Sequence, residues 1–193
     1  MSSRSQPEPV PPTPTRLFHF SDDPTIERFV PRPVQVASER PAGMEWLNGP
    51  LVWAVSEARQ ALYLFPRDCP RIVLWPTADT TEADRARWWG PSDAPMLAHI
   101  EQGWLERLRT AALYRYELPA DGFVAVNEDW AWVSEATVDP IGMEPCGDLE
   151  TALAHHGAEL RVLPSLTPLR HVWSTTLHAS GIRLRNAAGW PPA

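Results

Sequence analysis

The sequence predicts an α+β fold with a split, largely antiparallel sheet and short flanking helices. Short apolar or alternating runs of strand type recur along the chain and are bounded by Pro, Gly, Asp or Ser. Short helical patterns, several preceded by a capping residue, lie between these runs. The two patterns do not alternate with the regular rhythm that a doubly wound parallel sheet requires, so a mixed fold is favoured.

The first predicted strand covers residues 16–20, where apolar and polar side chains alternate. Turn formers that begin with Ser21 end this strand and place His19 near its end. Ser21 or Asp22 can cap a short helical turn, which we predict at 26–29.

A second strand, predicted at 51–55, leads into a helix predicted at 57–64 with Ser56 as its N-cap. The helix ends at a turn that two prolines bracket, Pro66 and Pro70. Each proline fixes its own φ angle and restricts the residue before it. The charged groups on this stiff turn are therefore held in defined directions beside apolar anchors.

The remainder of the chain continues the same mixture of short elements. Apolar runs ended by turn signals predict the strands, and the Asp148 side chain is a suitable N-cap for one of the helices. Strands are predicted at 72–75, 96–100, 113–118, 131–135, 138–144 and 159–163, and helices at 81–88, 103–110, 149–156 and 166–178.

Composition excludes several classes of function. The net charge is -7, which disfavours a general binder of nucleic-acid backbones because such proteins need clustered cations. The 17 basic residues are all Arg, so a Schiff-base lysine and a Walker-type lysine are absent from the sequence. Cationic chemistry here has to use the planar, permanently charged guanidinium; biased codon usage is the competing explanation.

Domain organisation is predicted from length and local composition. Residues 1–15 are rich in Pro and Ser and carry few apolar side chains, so we predict a disordered tail followed by one globular domain at 16–190. No apolar run reaches the roughly 18 residues of a membrane span, and the start lacks a signal-peptide core. We therefore expect a cytoplasmic protein without a membrane partner. The sequence does not predict the oligomeric state.

Local motifs leave each candidate reactive residue with two interpretations. Cys69 is a buried turn cysteine or a nucleophile activated by neighbouring arginines. Arg67 either pairs with Asp68 or faces a ligand. His155-His156 lacks the spacing of metal ligands, and the cysteines do not form a C-x-x-C pair, so no metal is expected.

Four blocks of sequence resemble an uncharacterised bacterial family, a domain of unknown function. The blocks are RLFHFSDDPTIERFVP from Arg16, ALYLFPRDCPR from Ala61, LYRYELP from Leu113 and SGIRLRN from Ser180. This resemblance covers nearly the whole chain outside the tail. It implies membership of that family, which carries no established activity.

The order of strand motifs also resembles the ADP-ribosyltransferase-like superfamily. In that superfamily a first-strand His or Arg holds the NAD ribose, an aromatic residue stacks on nicotinamide and a late Glu or Gln orients the acceptor. The resemblance implies these roles for His19, Tyr63 and Glu135, although the Ser-Thr-Ser motif and the paired acidic or Gln residue of the superfamily are missing.

The resulting hypothesis is an NAD- or nucleotide-handling domain, with ADP-ribosyl transfer or NAD glycohydrolysis as its reaction and NAD as co-substrate. A non-catalytic module that binds a small molecule or a protein is the alternative. The predicted site has Glu135 and His19 as catalytic residues and His19, Ser21, Tyr63, Arg67 and Arg71 as cofactor-binding residues.

Overall fold

A computed structural model describes residues 16–37, 39–126 and 130–191. The predicted tail, 1–15, lies outside the described residues. Within them, short strands and short helices follow one another, which confirms an α+β fold. The strands are β1 Leu17–Ser21, β2 Val52–Ser56, β3 Arg71–Trp75, β4 Met96–Glu101, β5 Tyr114–Leu118, β6 Val124–Val126, β7 Ala131–Ser134, β8 Gly142–Pro145, β9 Ala158–Leu163 and β10 His178–Ile182.

Helices are short throughout the described chain, as the sequence predicts. The α-helices are α1 Glu82–Trp88, α2 Leu105–Thr110 and α3 Leu149–His155. The 3-10 helices are Glu45–Asn48, Glu57–Tyr63, Gln102–Trp104, Thr167–Ser174 and Leu184–Asn186. No described helix is long and apolar enough to cross a lipid bilayer.

The strands form two sheets in which most neighbours are antiparallel. Their orders are β6-β7-β2-β1-β5-β8 and β10-β3-β4-β9. The chain divides into two compact units. Unit 1 takes the described residues of Met1–His19, Ile26–Glu57 and Glu117–Gly142, and unit 2 takes those of Phe20–Thr25, Ala58–Tyr116 and Met143–Ala193. The single domain predicted at 16–190 stays a prediction.

Unit 1 is built on antiparallel pairing around β2. Val52 lies opposite Ser134 of β7, and Leu17 of β1 lies opposite Ser56. The apolar face of these strands packs with residues of the preceding loop and 3-10 helix, because neither surface can remain in water at low cost. The buried cluster consists of Leu47, Leu51, Val126, Ala131 and Val133.

Unit 2 is built on the four-stranded sheet. All residues of β3 and of β4 are buried, so both faces of these central strands are covered. This agrees with their sequences, which are nearly continuous apolar runs rather than alternating ones. β4 pairs in parallel with β9, the exception to the antiparallel pairing of this sheet.

The end of β4 ties two later segments of unit 2 to the sheet. The Glu101 side chain is only 5% exposed. Its carboxylate accepts hydrogen bonds from the backbone N–H groups of Leu166, at 3.2 Å, and of Ala188, at 3.0 and 3.1 Å. These hydrogen bonds hold the segments around Leu166 and Ala188, which are distant in sequence, against the end of β4.

Two predicted helices are wrong. Residues 26–29 form no helix; instead the backbone of Phe29 exchanges two hydrogen bonds with Val138, at 2.8 and 2.9 Å. The helix predicted at 166–178 is a 3-10 helix that ends at Ser174, and His178 begins β10. Thr176 lies in the bend between the two elements, and Asp84 accepts hydrogen bonds from both its backbone N–H and its hydroxyl.

Smaller corrections concern helix type and two strands without a prediction. The helix predicted at 57–64 is of the 3-10 type, and the one predicted at 103–110 has a 3-10 first turn before α2 begins. No strand is predicted from the sequence at β6 or at β10. β6 has only three residues, and β10 contains Gly181 within a weakly apolar run, so neither carries a strong local signal.

Candidate functional site

His19 lies on β1 in unit 1 with its ring half-buried. Its Nδ1 is 2.8 Å from the carbonyl oxygen of Trp53 on the neighbouring strand, and its ring centroid is 4.7 Å from that of Phe29. Because a carbonyl only accepts hydrogen bonds, this contact selects a ring whose Nδ1 carries a proton. Strand pairing therefore fixes both the orientation and the tautomer of the imidazole.

Glu135 follows the last residue of β7, also in unit 1, and its side chain is exposed. It lines a pocket of about 550 Å³ whose other walls are mainly apolar. The Ser134 hydroxyl accepts a hydrogen bond from the backbone N–H of Ala136 at 3.2 Å, which holds the turn that carries Glu135. The lining residues are Trp46, Gly122, Val124, Val133, Ser134, Glu135 and Ala136.

Sequence reasoning missed two residues of this pocket, Trp46 and Val124. Their side chains are 42% and 57% exposed, unusually high for large apolar groups. Trp46 lies on the 3-10 helix Glu45–Asn48 and Val124 lies on β6, and neither position has a sequence pattern that marks it as a site residue. The two side chains share a pocket with Glu135 only in the folded chain.

Ser21 is the last residue of β1 and lies in unit 2. It is 3% exposed, and its hydroxyl accepts a hydrogen bond from the backbone N–H of Asp23 at 3.1 Å. Asp23 in turn accepts from the hydroxyl and the backbone N–H of Thr25, at 2.7 and 2.8 Å, and these bonds lower the pKa of its carboxyl. The predicted loop after the first strand is thus a chain of side-chain-to-backbone turns.

Tyr63 and Arg71 are brought together in unit 2. The Arg71 guanidinium carbon is 5.7 Å from the centre of the Tyr63 ring and 5.1 Å from that of Phe65. Its Nε donates to the carbonyl of Leu62 at 2.9 Å and its Nη1 donates to that of Cys69 at 3.1 Å. Arg71 is 3% exposed, and burial lowers its pKa to about 10. The described contacts of Arg71 therefore stabilise the proline-bracketed turn from inside.

Arg67 pairs with Asp22 rather than with Asp68. Its Nε is 3.3 Å from a carboxylate oxygen of Asp22, and both side chains are more than half exposed. The turn itself is fastened by later residues of unit 2. Arg183 donates to the carbonyl of Arg67 at 3.2 Å, and Asn186 donates to that of Asp68 at 2.7 Å.

Cys69 has the buried, structural position that the first of its two interpretations predicts. It is 0% exposed, and burial raises its pKa to about 12. The positive charge of Arg71 acts in the opposite direction but is outweighed. An activated nucleophile needs a depressed pKa and access, so the structure favours the structural interpretation.

The six predicted site residues divide between the two units. His19 and Glu135 belong to unit 1, and Ser21, Tyr63, Arg67 and Arg71 belong to unit 2. His19 is not among the residues that line the Glu135 pocket. A single cleft containing all of them stays a prediction. Across the described ranges, no group of three or more His, Cys, Asp or Glu side chains is placed to hold a metal ion.

One comparison with known proteins gives a match. The model of a family of unknown function, DUF6886, matches residues 18–187. The chain belongs to the DUF6886 family. Searches of the curated proteins and of the solved structures give no match.

Membership of DUF6886 confirms the resemblance to a domain of unknown function. The matched range contains the blocks that begin at Ala61, Leu113 and Ser180 and all but the first two residues of the block that begins at Arg16. It also contains every predicted site residue. The family description assigns no chemistry, so the function has to be argued from the geometry.

Proposed function

We propose that this DUF6886 chain handles NAD or a closely related nucleotide and that the Glu135 pocket holds its ribose and one of its rings. The observation that carries the proposal is the placement of the Glu135 carboxylate in a largely apolar pocket of about 550 Å³ beside the half-exposed indole of Trp46. Small-molecule sites typically have this size and this combination of apolar walls with a few polar groups.

The two side chains suit the two parts of a nucleoside. An ionised carboxylate accepts charge-assisted hydrogen bonds from ribose hydroxyls. An indole offers a flat apolar surface on which a nicotinamide or adenine ring can stack. Val124 extends the apolar wall, which would keep water from the bound ring.

The proposed reaction is displacement of nicotinamide from NAD. The glycosidic bond breaks with its electron pair going to nicotinamide, and positive charge develops on the ribose. Glu135 would accept a hydrogen bond from a ribose hydroxyl, a contact that strengthens as this charge develops. Water or an acceptor nucleophile then forms the new bond to the ribose and releases its proton to the solvent. The superfamily resemblance implies a ribose-holding role for His19, whose orientation the Trp53 carbonyl fixes, but His19 does not line the Glu135 pocket.

Arg67 is a separate candidate, within unit 2, for binding a phosphate group of a nucleotide. Its ion pair with Asp22 is exposed, and such pairs contribute only about 0–1 kcal/mol. A phosphate could therefore replace Asp22 at low cost, and the guanidinium could bind it through two donors. Arg71, in contrast, donates to two backbone carbonyls, so we assign it the support of the turn on which Arg67 is carried.

Calorimetric titration with NAD and with ADP-ribose tests the Glu135 site. We expect Glu135→Gln to weaken binding by about 1.5–3 kcal/mol, the range for hydrogen bonds to charged groups. Glu27→Gln, which removes an exposed carboxylate of the same unit outside the pocket, is the matched control and should bind like the wild type. Absence of wild-type binding at millimolar nucleotide, or equal binding by the Glu135 variant, would refute the proposal.

The Arg67 contribution is tested separately because it lies in the other unit. Arg67→Ala should weaken binding of ADP-ribose while changing the stability by no more than about 1 kcal/mol. Arg28→Ala is the matched control, since Arg28 also forms an exposed ion pair, with Asp139. If Arg67→Ala has a melting temperature far below those of the wild type and Arg28→Ala, the Arg67 guanidinium stabilises the fold rather than binding a ligand.

A non-catalytic binding module is the second candidate. It is favoured by the hydrogen bonds of Arg71 to backbone carbonyls, which engage one of the two arginines predicted to bind the cofactor. Chromatography of nicotinamide released from NAD, with and without cell lysate as a source of acceptors, separates the candidates. Either of two outcomes would favour the binding module. NAD binds without release of nicotinamide, or the release is the same for Glu135→Gln as for the wild type.

A further inference from the structure

A second pocket lies entirely within unit 2, where the sequence suggested no site. Its volume is about 410 Å³, and residues of β5, β8 and α3 line it. Unlike the Glu135 pocket, it has charged walls of both signs. Arg115 lies on β5 and Glu144 lies on β8, and Asp148 is the residue that caps α3.

Arg115 is held in position by a buried side chain. Its Nη1 donates to the amide oxygen of Gln60 at 2.6 Å, and Gln60 is 2% exposed. Its Nη2 pairs with the carboxylate of Glu144. The Arg115 side chain is 18% exposed and that of Glu144 is 57% exposed. The guanidinium is therefore oriented before any ligand arrives, while its carboxylate partner lies on an exposed strand and can move.

Asp148 adds a second carboxylate to the pocket. Its Oδ1 accepts a hydrogen bond from the backbone N–H of Thr151 at 2.7 Å, which anchors the side chain. Two carboxylates and one guanidinium thus line the same space, together with the imidazoles of His155 and His156 and the apolar side chain of Leu64.

We propose that this pocket binds a free α-amino acid, whose carboxylate pairs with Arg115 and whose ammonium group pairs with Glu144 and Asp148. Charge balance favours this ligand class. An anion without an ammonium group would separate Glu144 from Arg115 and leave the Glu144 carboxylate without its ion-pair partner. A cation without a carboxylate would compete with Arg115 for Glu144. A zwitterion can insert between Arg115 and Glu144. Its carboxylate then pairs with Arg115 and its ammonium group pairs with Glu144.

The proposal is tested by calorimetry of the full-length chain with the common protein amino acids, up to millimolar concentrations. Acetate and ethylamine serve as probes that carry only one of the two charges. We expect at least one amino acid to bind and both single-charge probes to bind at least about tenfold more weakly. Failure of every amino acid to bind, or acetate binding as tightly as the best amino acid, would overturn the proposal.

Variants locate the site. Arg115→Gln and Glu144→Gln should each weaken amino-acid binding by at least about tenfold. Glu144 is exposed, so its variant is expected to fold even if removing Arg115 disturbs Gln60. The matched controls are Arg28→Gln and Asp139→Asn, which break an exposed ion pair in unit 1. Unchanged binding in the Glu144 variant, or equal losses in the controls, would contradict the assignment.

Cys146 provides an independent readout because it lines the same pocket and is half-buried, whereas Cys69 is fully buried. Bound amino acid should slow the alkylation of Cys146 by iodoacetamide in native protein, and acetate at the same concentration should not. An alkylation rate that saturating amino acid leaves unchanged would place the ligand elsewhere and overturn the proposal. This readout involves no nucleotide, so its failure is distinguishable from failure of the proposed NAD site.

Discussion

A buried histidine in the four-stranded sheet should make the stability of this protein depend on pH. His99 lies on β4 of unit 2 and is 3% exposed, and its Nδ1 is 3.2 Å from the carbonyl oxygen of Ile72. Burial lowers its pKa from 6.5 to about 4, and the positive charge of Arg161 acts in the same direction. The Ile72 carbonyl and the Glu159 carboxylate oppose this change but do not outweigh burial.

The sign of the effect follows from which state binds the proton. Above pH 6.5 the imidazole is neutral in both the folded and the unfolded chain, so His99 contributes its full stability. As the pH falls towards 4, the unfolded chain takes up a proton that the folded chain resists, and folding is destabilised. A fall in pKa from 6.5 to about 4 corresponds to about 3 kcal/mol once both states are protonated. About 2 kcal/mol of this should be lost by pH 5.

The measurement is urea unfolding of the wild type and of His99→Gln at pH 7 and at pH 5. Glutamine keeps a donor for the Ile72 carbonyl but does not titrate in this range. The wild type should lose about 2 kcal/mol more than the variant between the two pH values, whatever constant cost the substitution has. His171→Gln, at an exposed position, is the control and should follow the wild type. Parallel losses in the wild type and His99→Gln would refute the reasoning.

Three further predictions concern buried or close contacts of unit 2. Cys69, whose pKa is about 12, should react slowly with a thiol reagent in native protein and rapidly in denaturant, while Cys146 reacts faster in the native state; rapid native labelling of Cys69 would contradict its burial. Glu101→Gln should cost about 1–3 kcal/mol in urea unfolding, because the amide group cannot accept all the backbone hydrogen bonds of the carboxylate; a change near zero would show that these bonds are dispensable. Gly181→Ala should lower the melting temperature, since its added Cβ would lie 2.5 Å from the Leu184 side chain and 2.8 Å from the Trp173 ring. An unchanged melting temperature would show that both side chains move aside freely.

Most strands and the short helices could be predicted because their signals are local. The runs that form β3 and β4 are mostly apolar, and the side chains of Thr81 and Asp148 accept hydrogen bonds from backbone N–H groups in the first turns of α1 and α3. The failures occur where a distant partner decides the conformation. Phe29 is extended because it pairs with Val138, more than a hundred residues later.

The candidate site was predictable in part for the same reason. His19 could be placed near a strand end and Glu135 after a strand, because strand boundaries are readable from turn residues. The carboxylate that pairs with Arg67 could not be chosen, since Asp68 is adjacent in sequence whereas Asp22 approaches only in the folded chain. The Arg115 pocket had no local signal, because its walls come from separate elements.

By itself, the sequence determined the α+β class, the dependence on arginine as the strong cation, and the stiffness of the turn between Pro66 and Pro70. These properties depend on composition and on neighbours along the chain. Tertiary structure alone decided that Arg71 donates its hydrogen bonds to backbone carbonyls, that the pKa of Cys69 is raised, and that the pKa of His99 is lowered so that its imidazole is neutral near pH 7. Burial and hydrogen-bond partners are set by residues distant in sequence, and it is these partners that determine whether a charged form is stabilised or penalised.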